Sequence, residues 1–201
     1  MGLYNNRIVV KVGTSTLTND AGKSDLRTTD RLACVLSDIQ NMGYEVVLVS
    51  SGAIAVGRNK LNMTSKPDSM RMKQAAAAVG QCSLMYLYDK FFGDYDKTVA
   101  QILLNAEDIE QEEKKENLIN TFNALLEMGV IPIVNENDTV STEEIEFGDN
   151  DTLSAVVTAV VQGDLLILLT DIDGLYTDDP HKNPLAKLIP EVPVLDEKIG
   201  R

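Results

Sequence analysis

Five short, mostly apolar runs separated by helical stretches constrain the fold of this chain more than any other feature. The runs are rich in Val, Ile and Leu and cover residues 7–12, 45–49, 98–104, 130–134 and 165–169. Several are apolar on both faces, which indicates strands covered on both sides of a sheet and therefore a mainly parallel sheet. Helical stretches lie between them, at residues 26–42, 70–92, 115–128 and 152–162. This alternation predicts an α/β fold, specifically a three-layer αβα sandwich.

The length of the chain favours one domain. With 201 residues, 44% of them hydrophobic, the chain can bury one substantial core, and we expect a single domain over residues 1–201. Gly43 and Gly129 lie where two predicted helices should stop, and the four alanines at 75–78 predict a closely packed helix. The Pro-rich tail after Asp179 has no further long helix, so we expect the sandwich to be incomplete at its carboxyl end.

Charge and cysteine content exclude several classes of partner. A net charge of −13 argues against nucleic acid or an anionic membrane surface as the main partner. No apolar run approaches membrane-spanning length, and the first residues lack a signal-peptide pattern. Cys34 and Cys82 lie in helical stretches and favour two buried thiols over a disulfide, so we expect a soluble cytoplasmic protein. With one histidine, His181, the chain has no His/Cys cluster for metal ligation, and we assign no metal ligand.

Amides and carboxylates crowd two neighbouring segments. Residues 135–139 (Asn-Glu-Asn-Asp-Thr) follow the fourth predicted strand, and residues 147–151 (Phe-Gly-Asp-Asn-Asp) precede the last predicted helix. Their carboxylates repel one another unless a metal ion, an ammonium group or a lysine lies among them. Ligands of open α/β sheets bind outside the carboxyl ends of strands. We therefore expect a ligand site here rather than a solvated acidic loop.

The first predicted strand leads into a small, hydroxyl-rich loop. Lys11 stands near the end of this strand and is followed by Gly13, Thr14 and Ser15. Glycine permits unusual backbone angles, hydroxyl and N–H donors lie beside it, and the lysine can reach a phosphate. An ordinary strand–loop turn explains the same residues equally well.

Two further strand ends carry polar or small residues. Residues 50–57 place small side chains before a helix start, where a carboxylate or phosphate can approach the helix dipole. Arg58-Asn59 stand where a Walker loop requires Lys-Ser/Thr, so we reject that interpretation. The fifth strand runs into residues 170–176, whose Asp-x-Asp-Gly spacing lacks the closing Glu of a calcium loop. A turn that touches a nucleotide explains this segment better.

Together these motifs resemble the amino acid kinase family. The matching segments follow the family's order at residues 11–15, 50–54, 74–81, 101–104, 135–139, 147–151 and 169–176. The resemblance implies an αβα sandwich. It also implies a kinase that uses ATP and Mg²⁺. It also implies transfer of the γ-phosphoryl group to the side-chain carboxylate of L-glutamate, the first step towards proline. An attacking carboxylate is already ionised at neutral pH, so no general base is needed.

The resemblance also implies roles for individual residues. Lys11 would hold the transferring phosphate, and Asp151 would orient the catalytic lysine. The residues that would bind glutamate are Ser51, Asp138 and Asn150. The residues that would contact the nucleotide are Lys11, Gly13, Thr14, Ser15, Thr170 and Asp171. Proline is the implied feedback inhibitor, and the family implies a homo-oligomer, either a dimer or a tetramer.

Two alternatives remain open. Family members continue into a Gly-rich segment with a lysine, and many carry a PUA domain, but neither follows residue 201, so we expect a truncated kinase domain. Loss of a cation that acts on the transition state could cost roughly 1000-fold in rate. The chain could then be a non-catalytic domain that binds glutamate or assembles with a partner. The other alternative is a sister kinase for acetylglutamate, aspartate, carbamate or UMP, which the acidic 147–151 segment disfavours.

Overall fold

The computed structural model describes residues 6–19, 23–140 and 150–193. The chain forms two compact units, Met1–Leu169 and Thr170–Arg201. The first unit contains the strands β1 (Arg7–Val12), β2 (Glu45–Val49), β3 (Val99–Leu104), β4 (Ile131–Glu136) and β5 (Leu165–Leu169). They form one sheet in the order β3-β4-β2-β1-β5, and every pairing is parallel. The predicted parallel sheet is confirmed, and the bounds of three strands match the prediction to the residue.

Seven helices connect these strands in the described part of the chain. They are α1 (Thr14–Leu17), α2 (Leu26–Asn41), α3 (Ala53–Lys60), α4 (Met70–Gly93), α5 (Ala106–Glu110), α6 (Glu112–Glu127) and α7 (Asn150–Val160). The four predicted helices are confirmed with small shifts at their ends, and α2 and α6 stop just before Gly43 and Gly129 as expected. Helices α1 and α5 are too short, at four and five residues, to show a periodic pattern. No helix of the described residues is both long and apolar enough to cross a membrane.

The sheet separates two apolar clusters, which makes the fold a three-layer sandwich. Alternate residues of a strand point to opposite faces, so neighbouring valines of β1 and β2 enter different clusters. One cluster joins Val10 and Leu48 to residues of α2 and α4. The other joins Val9 and Val47 to residues of α6 and α7. The predicted αβα layering is confirmed.

Helices α3 and α4 touch backbone to backbone through two glycines. A Cβ on Gly57 would lie 1.8 Å from the carbonyl oxygen of Ala76, and a Cβ on Gly80 would lie 1.7 Å from that of Ala53. Both distances are far shorter than any real contact of a Cβ atom. The close packing predicted from the alanine run is therefore confirmed, with α3 as the partner of α4.

Strand β5 and one cysteine are more exposed than the sequence predicts. Leu165 and Leu168 expose 49% and 47% of their surface, although their uniformly apolar strand predicts cover on both faces. Among the described strands, β5 lies at the edge of the sheet and pairs with β1 alone.

Cys34 and Cys82 are both free, as expected, but Cys82 is exposed, so the prediction that both thiols are buried is wrong.

The second unit is held by turns between residues 170 and 193. An isolated antiparallel bridge joins Tyr176 to Leu188, and the main-chain N–H of Ile189 donates to the carbonyl of Leu175 at 2.7 Å. The side chain of Lys182 pairs with Asp179 at 2.9 Å. As the sequence predicts, this described segment contains no long helix.

Candidate active site

A cleft opens where β1, β2 and β4 end and α7 begins. Its volume is about 510 Å³. The residues that line it are Lys11, Thr14, Ser51, Gly52, Ala53, Ile54, Ala55, Arg58, Lys66, Pro67, Lys73, Asn135, Asp138 and Asn150. The carboxyl ends of parallel strands meet at one edge of a sheet, which brings these separate segments together. The cleft unites five of the residues predicted from sequence: Lys11, Thr14, Ser51, Asp138 and Asn150.

Lys11 is a buried cation that pairs with a carboxylate in the first turn of α7. The period of two places Lys11 on the same face of β1 as Val9, which is the face that α7 covers. Its Nζ lies 2.5 Å from Oδ1 of Asp151, in the first turn of α7. The lysine side chain is 10% exposed and that of Asp151 is 50% exposed. A buried ammonium group needs such a partner. Of the three predicted possibilities, the structure thus shows a lysine, which pairs with one carboxylate of these segments, Asp151.

The loop after β1 brings a main-chain turn close to the lysine. The N–H of Gly13 donates to the carbonyl of Leu169 on β5 at 3.1 Å, and its carbonyl accepts from the N–H groups of Thr16 and Leu17 in α1. A Cβ on Gly13 would lie 3.6 Å from Nζ of Lys11. Thr14 lines the cleft, whereas Ser15 is exposed on α1 and is not part of the lining. Of this predicted phosphate loop, the structure therefore places Thr14 in the cleft and Gly13 directly beside the lysine.

The loop after β2 packs against the loop after β1. Gly52 caps α3 with a φ of +92°, a backbone conformation that favours glycine. A Cβ on Gly52 would lie 3.5 Å from the side chain of Thr14. Ser51, just before it, is 7% exposed and lines the cleft. The two loops predicted separately therefore form one wall.

Three amide side chains form a connected series beside Ser51. Nδ2 of Asn150 lies 2.6 Å from the carbonyl oxygen of Ser50, 2.7 Å from Oγ of Ser51 and 3.1 Å from Oδ1 of Asn135, and its two hydrogens are shared among these three acceptors. Nδ2 of Asn135 donates to Oε1 of Gln81 on α4 at 2.9 Å. Asn135 is 2% exposed, so these bonds satisfy polar atoms that water cannot reach.

Helix α4 also holds the loop after β2 through a buried tyrosine. The hydroxyls of Ser50 and Tyr88 lie 2.8 Å apart, and the two residues are 2% and 1% exposed. Burial raises the pKa of the Tyr88 phenol well above its ordinary value, which keeps the hydroxyl neutral. Sequence reasoning did not foresee the bonds of Tyr88 and Gln81, because nothing local marks either residue as a partner of a distant segment.

The lining is rich in cations although the chain is strongly acidic. Arg58, Lys66 and Lys73 join Lys11 around the cleft, and among the described lining residues Asp138 is the one carboxylate. Sequence reasoning did not assign Arg58, Lys66 or Lys73 to the site. A signal was present, because residues 58–73 contain five basic residues and one acidic residue in a chain of net charge −13. Such a local reversal of charge indicates an anion-binding surface.

Some predicted residues lie elsewhere. Residues 147–149 of the acidic motif lie outside the described residues, whereas Asn150 and Asp151 begin α7. Thr170 and Asp171 belong to the second unit, where both are exposed and Oγ1 of Thr170 donates to Oδ1 of Asp171 at 3.1 Å. Their contact with a nucleotide stays a prediction.

Comparison with known proteins defines the class to which this fold and cleft belong. A sequence model of the amino acid kinase family matches residues 6–198, and the chain belongs to that family. A relative named glutamate 5-kinase, from Clostridium perfringens, is 55% identical over 202 residues, which cover 96% of this chain and 75% of the relative. Glutamate 5-kinase from Carboxydothermus hydrogenoformans is 53% identical, with 96% and 52% covered. Glutamate 5-kinase from Enterococcus faecalis is 50% identical, with 96% and 73% covered.

The chain therefore spans between about half and three quarters of the length of these relatives. Among solved structures, UMP kinase from Ureaplasma parvum has a TM-score of 0.59 and 17% sequence identity. The match covers 90% of this chain and 74% of that structure. At this identity the likeness supports the fold, and it agrees with the predicted αβα sandwich.

Proposed function

We propose that this chain catalyses the transfer of the γ-phosphoryl group of ATP to the side-chain carboxylate of L-glutamate. The observation that carries the proposal is the buried Lys11, held by Asp151 at the end of β1 in a cleft with both cations and amide groups. A buried lysine at a strand end beside a glycine turn suits a transferring phosphate. The three relatives named glutamate 5-kinase, at 50–55% identity, support the choice of acceptor.

The proposed reaction needs little covalent help from the protein. A carboxylate oxygen of glutamate forms the new bond to the γ-phosphorus while the bond to the β–γ bridging oxygen breaks, and ADP leaves with that electron pair. No proton has to move, because the carboxylate is ionised at neutral pH. The chain contributes positioning and charge neutralisation, which dominate catalysis of phosphoryl transfer.

Each group of residues predicted from sequence has a part in this proposal. Lys11 neutralises charge on the phosphoryl group, and Asp151 keeps the lysine in place. The phosphates of ATP contact the loop formed by Gly13, Thr14 and Ser15. Glutamate binds at Ser51, Asp138 and Asn150, and the nucleotide also contacts Thr170 and Asp171. The further lining cations Arg58, Lys66 and Lys73 attract substrates that are all anionic at neutral pH.

We include Mg²⁺ as the cofactor that accompanies ATP. The described residues contain no group of three His, Cys, Asp or Glu side chains placed to hold a metal by themselves. Single carboxylates at Asp138 and Asp151 suit an ion that is held mainly by nucleotide phosphates and water. Asp151, next to Lys11, is the carboxylate that would hold it. When bound, Mg²⁺ would neutralise charge on the phosphates.

Proline inhibition, self-association and location form the last part of the proposal. Proline shares the α-carboxylate and protonated amine of glutamate, so we expect it to compete for the same residues. Helix α4 exposes 68% of Tyr86 and 39% of Met72, whereas Tyr88 is core, so α4 offers part of an apolar face for a dimer or tetramer. We also expect a cytoplasmic location, where ATP is abundant.

The proposal is tested by glutamate-dependent ADP release with Mg-ATP, with the acyl phosphate trapped by hydroxylamine. Turnover with L-glutamate, and none with aspartate, acetylglutamate or UMP, is the expected result. Lys11→Met should abolish most of it, and Lys97→Met is the matched control, since Lys97 is bonded to Asn41 on an exposed surface. Glutamate binding without turnover would favour the second candidate, a binding domain whose activity needs the additional length of the relatives. Folded protein that neither binds nor turns over glutamate would refute both.

A further inference from the structure

We propose that the outer edge of β5 docks a further piece of α/β structure, namely an apolar strand with apolar cover for both of its faces. This partner lies outside these 201 residues and corresponds to the additional length of the relatives. Such docking needs neither nucleotide nor glutamate, so it can hold or fail independently of the proposed reaction. The composition of β5, the exposure of its faces and the length of the relatives support it.

The two edge strands of the described sheet, β3 and β5, differ in composition. Strand β3 has the sequence VAQILL, in which the polar Gln101 is exposed and no large hydrophobic residue is strongly exposed. Strand β5 has the sequence LLILL, without any polar residue, and exposes nearly half of Leu165 and of Leu168. Natural edge strands are protected by polar or charged side chains, whereas uniformly apolar strands belong to the interior of parallel sheets. By composition, β5 resembles the interior strand β2, whose residues 46–49 are completely buried.

Both faces of β5 are left partly uncovered. Alternate residues share a face, so Leu165 lies on the face of Ile167, and Leu168 lies on the face of Leu166. Ile167 packs against the apolar cluster on the α2–α4 side, and Leu166 packs against the cluster on the α6–α7 side. Each face therefore carries one leucine that is half exposed. A single added strand would pair with the edge and cover neither face, so the partner has to bring apolar side chains to both.

A second copy of this chain fits this surface poorly. The five residues of β5 are about 16 Å long, whereas a stable interface buries about 800 Å² on each partner. Two chains of net charge −13 also repel each other. The edge therefore favours a partner that covers more than one strand and does not carry the same charge.

The greater length of the relatives can supply such a partner. The matches cover 96% of this chain but 75% of the Clostridium perfringens relative and 52% of the Carboxydothermus hydrogenoformans relative, so a quarter to about half of each relative lies outside them. An average strand has about 5–6 residues and an average helix about 11–12. A quarter of such a relative is therefore long enough to form a strand with a helix on either side.

The test coexpresses the 201-residue chain with a tagged polypeptide that comprises the quarter of the Clostridium perfringens relative outside the match. Coexpression lets this polypeptide fold on the chain. The two should copurify in equal amounts. In the complex, hydrogen exchange at the main-chain N–H groups of residues 165–169 should slow by about tenfold or more relative to the chain alone, while exchange in β3 stays unchanged.

Matched variants at the two edges locate the docking surface. Leu168→Lys should weaken the complex by about tenfold or more, because the exposed half of the leucine surface is no longer available for burial. Leu165→Lys tests the opposite face in the same way and serves if Leu168→Lys does not fold. Gln101→Lys introduces the same charge at an exposed position of β3 and should leave the complex unchanged. A thermal melt of each variant alone establishes that it is folded.

Four results would overturn the proposal. The first is no complex with the folded chain, the second is equal weakening by the β5 and β3 variants, and the third is protection of β3 in place of β5. The fourth is protection of β5 in the chain alone that rises with its concentration, since a second copy would then be the occupant. These measurements contain no glutamate or ATP, so a failure of kinase turnover leaves them unaffected, and loss of the complex leaves the proposed reaction to its own assay.

Discussion

Replacement of Gly80 with alanine should push helices α3 and α4 apart. The new Cβ would lie 1.7 Å from the carbonyl oxygen of Ala53 and 2.6 Å from the main-chain nitrogen of Gly57. Both are backbone atoms, so no side-chain rotation relieves the overlap. Contacts of a Cβ below 3.0 Å are essentially never observed, and the two helices must therefore separate by more than an ångström.

Two opposing effects set the change in the free energy of unfolding caused by Gly80→Ala. Alanine in place of glycine inside a helix ordinarily stabilises a protein by up to about 1 kcal/mol. Overpacking costs about 1–3 kcal/mol and occasionally more, and a backbone clash that separates two helices belongs at or above the upper end of that range. We expect a net loss of about 2–3 kcal/mol in the free energy of unfolding. For a chain of this size, that loss lowers Tm by about 4–12 °C.

The assay is thermal and urea unfolding of Gly80→Ala beside Gly93→Ala. Gly93 ends the same helix, and nothing lies within 4 Å of a Cβ built there, so its variant should be neutral or slightly stabilised. Helix α3 begins directly after Gly52, whose loop lines the cleft, so Gly80→Ala should also weaken glutamate binding. Wild-type stability in Gly80→Ala, or equal losses in the two variants, would refute the argument from backbone contact.

Three further predictions concern the cleft, a helix cap and a buried hydroxyl pair. Lys11→Met should slow glutamate-dependent ADP release by about 100- to 1000-fold, while a surface-lysine variant keeps its rate. Asp25 caps α2, and hydrogen bonds from Thr28 lower the pKa of its carboxyl. The capping contribution is therefore complete above the ordinary pKa of about 3.9 and is lost as the pH falls through the lowered native value. Asp25→Ala should accordingly lower Tm at pH 7, and the difference should shrink below about pH 4 in a series of melts; a difference that grows in acid would contradict the assignment. Tyr88→Phe removes the 2.8 Å contact with the hydroxyl of Ser50 and should cost about 1–2 kcal/mol in urea unfolding, and no loss would mean that the contact contributes nothing.

The sheet could be predicted because its signal is local. Each strand is a short apolar run, and the period of two within a run settles which residues share a face. The exception is β5, where an equally apolar run lies at an edge and leaves Leu168 nearly half exposed. Position within a sheet depends on the order of strands, which no single run encodes. The single-turn helix α1 was missed because four residues carry no period.

The site could be predicted only in part for a similar reason. Repulsion among carboxylates pointed to a cation, and Lys11 supplies it at Asp151. Gln81 and Asn135 are 54 residues apart, so their bond exists only after α4 has packed beside β4. The contribution of Lys66 to the lining likewise depends on how the segment between α3 and α4 folds back.

The exposed edge strand has a practical consequence for work with the chain. Among the described residues, no second strand pairs with the outer edge of β5, where leucines are half exposed, and such an edge is a template on which a second molecule can add a strand. A net charge of −13 keeps molecules apart by mutual repulsion, but salt screens that repulsion over about 10 Å at 0.1 M. Added salt leaves the apolar edge attractive while it removes the barrier. Turbidity of a stored sample should therefore rise with ionic strength and with protein concentration, and dilute, low-salt buffer should keep the protein dispersed.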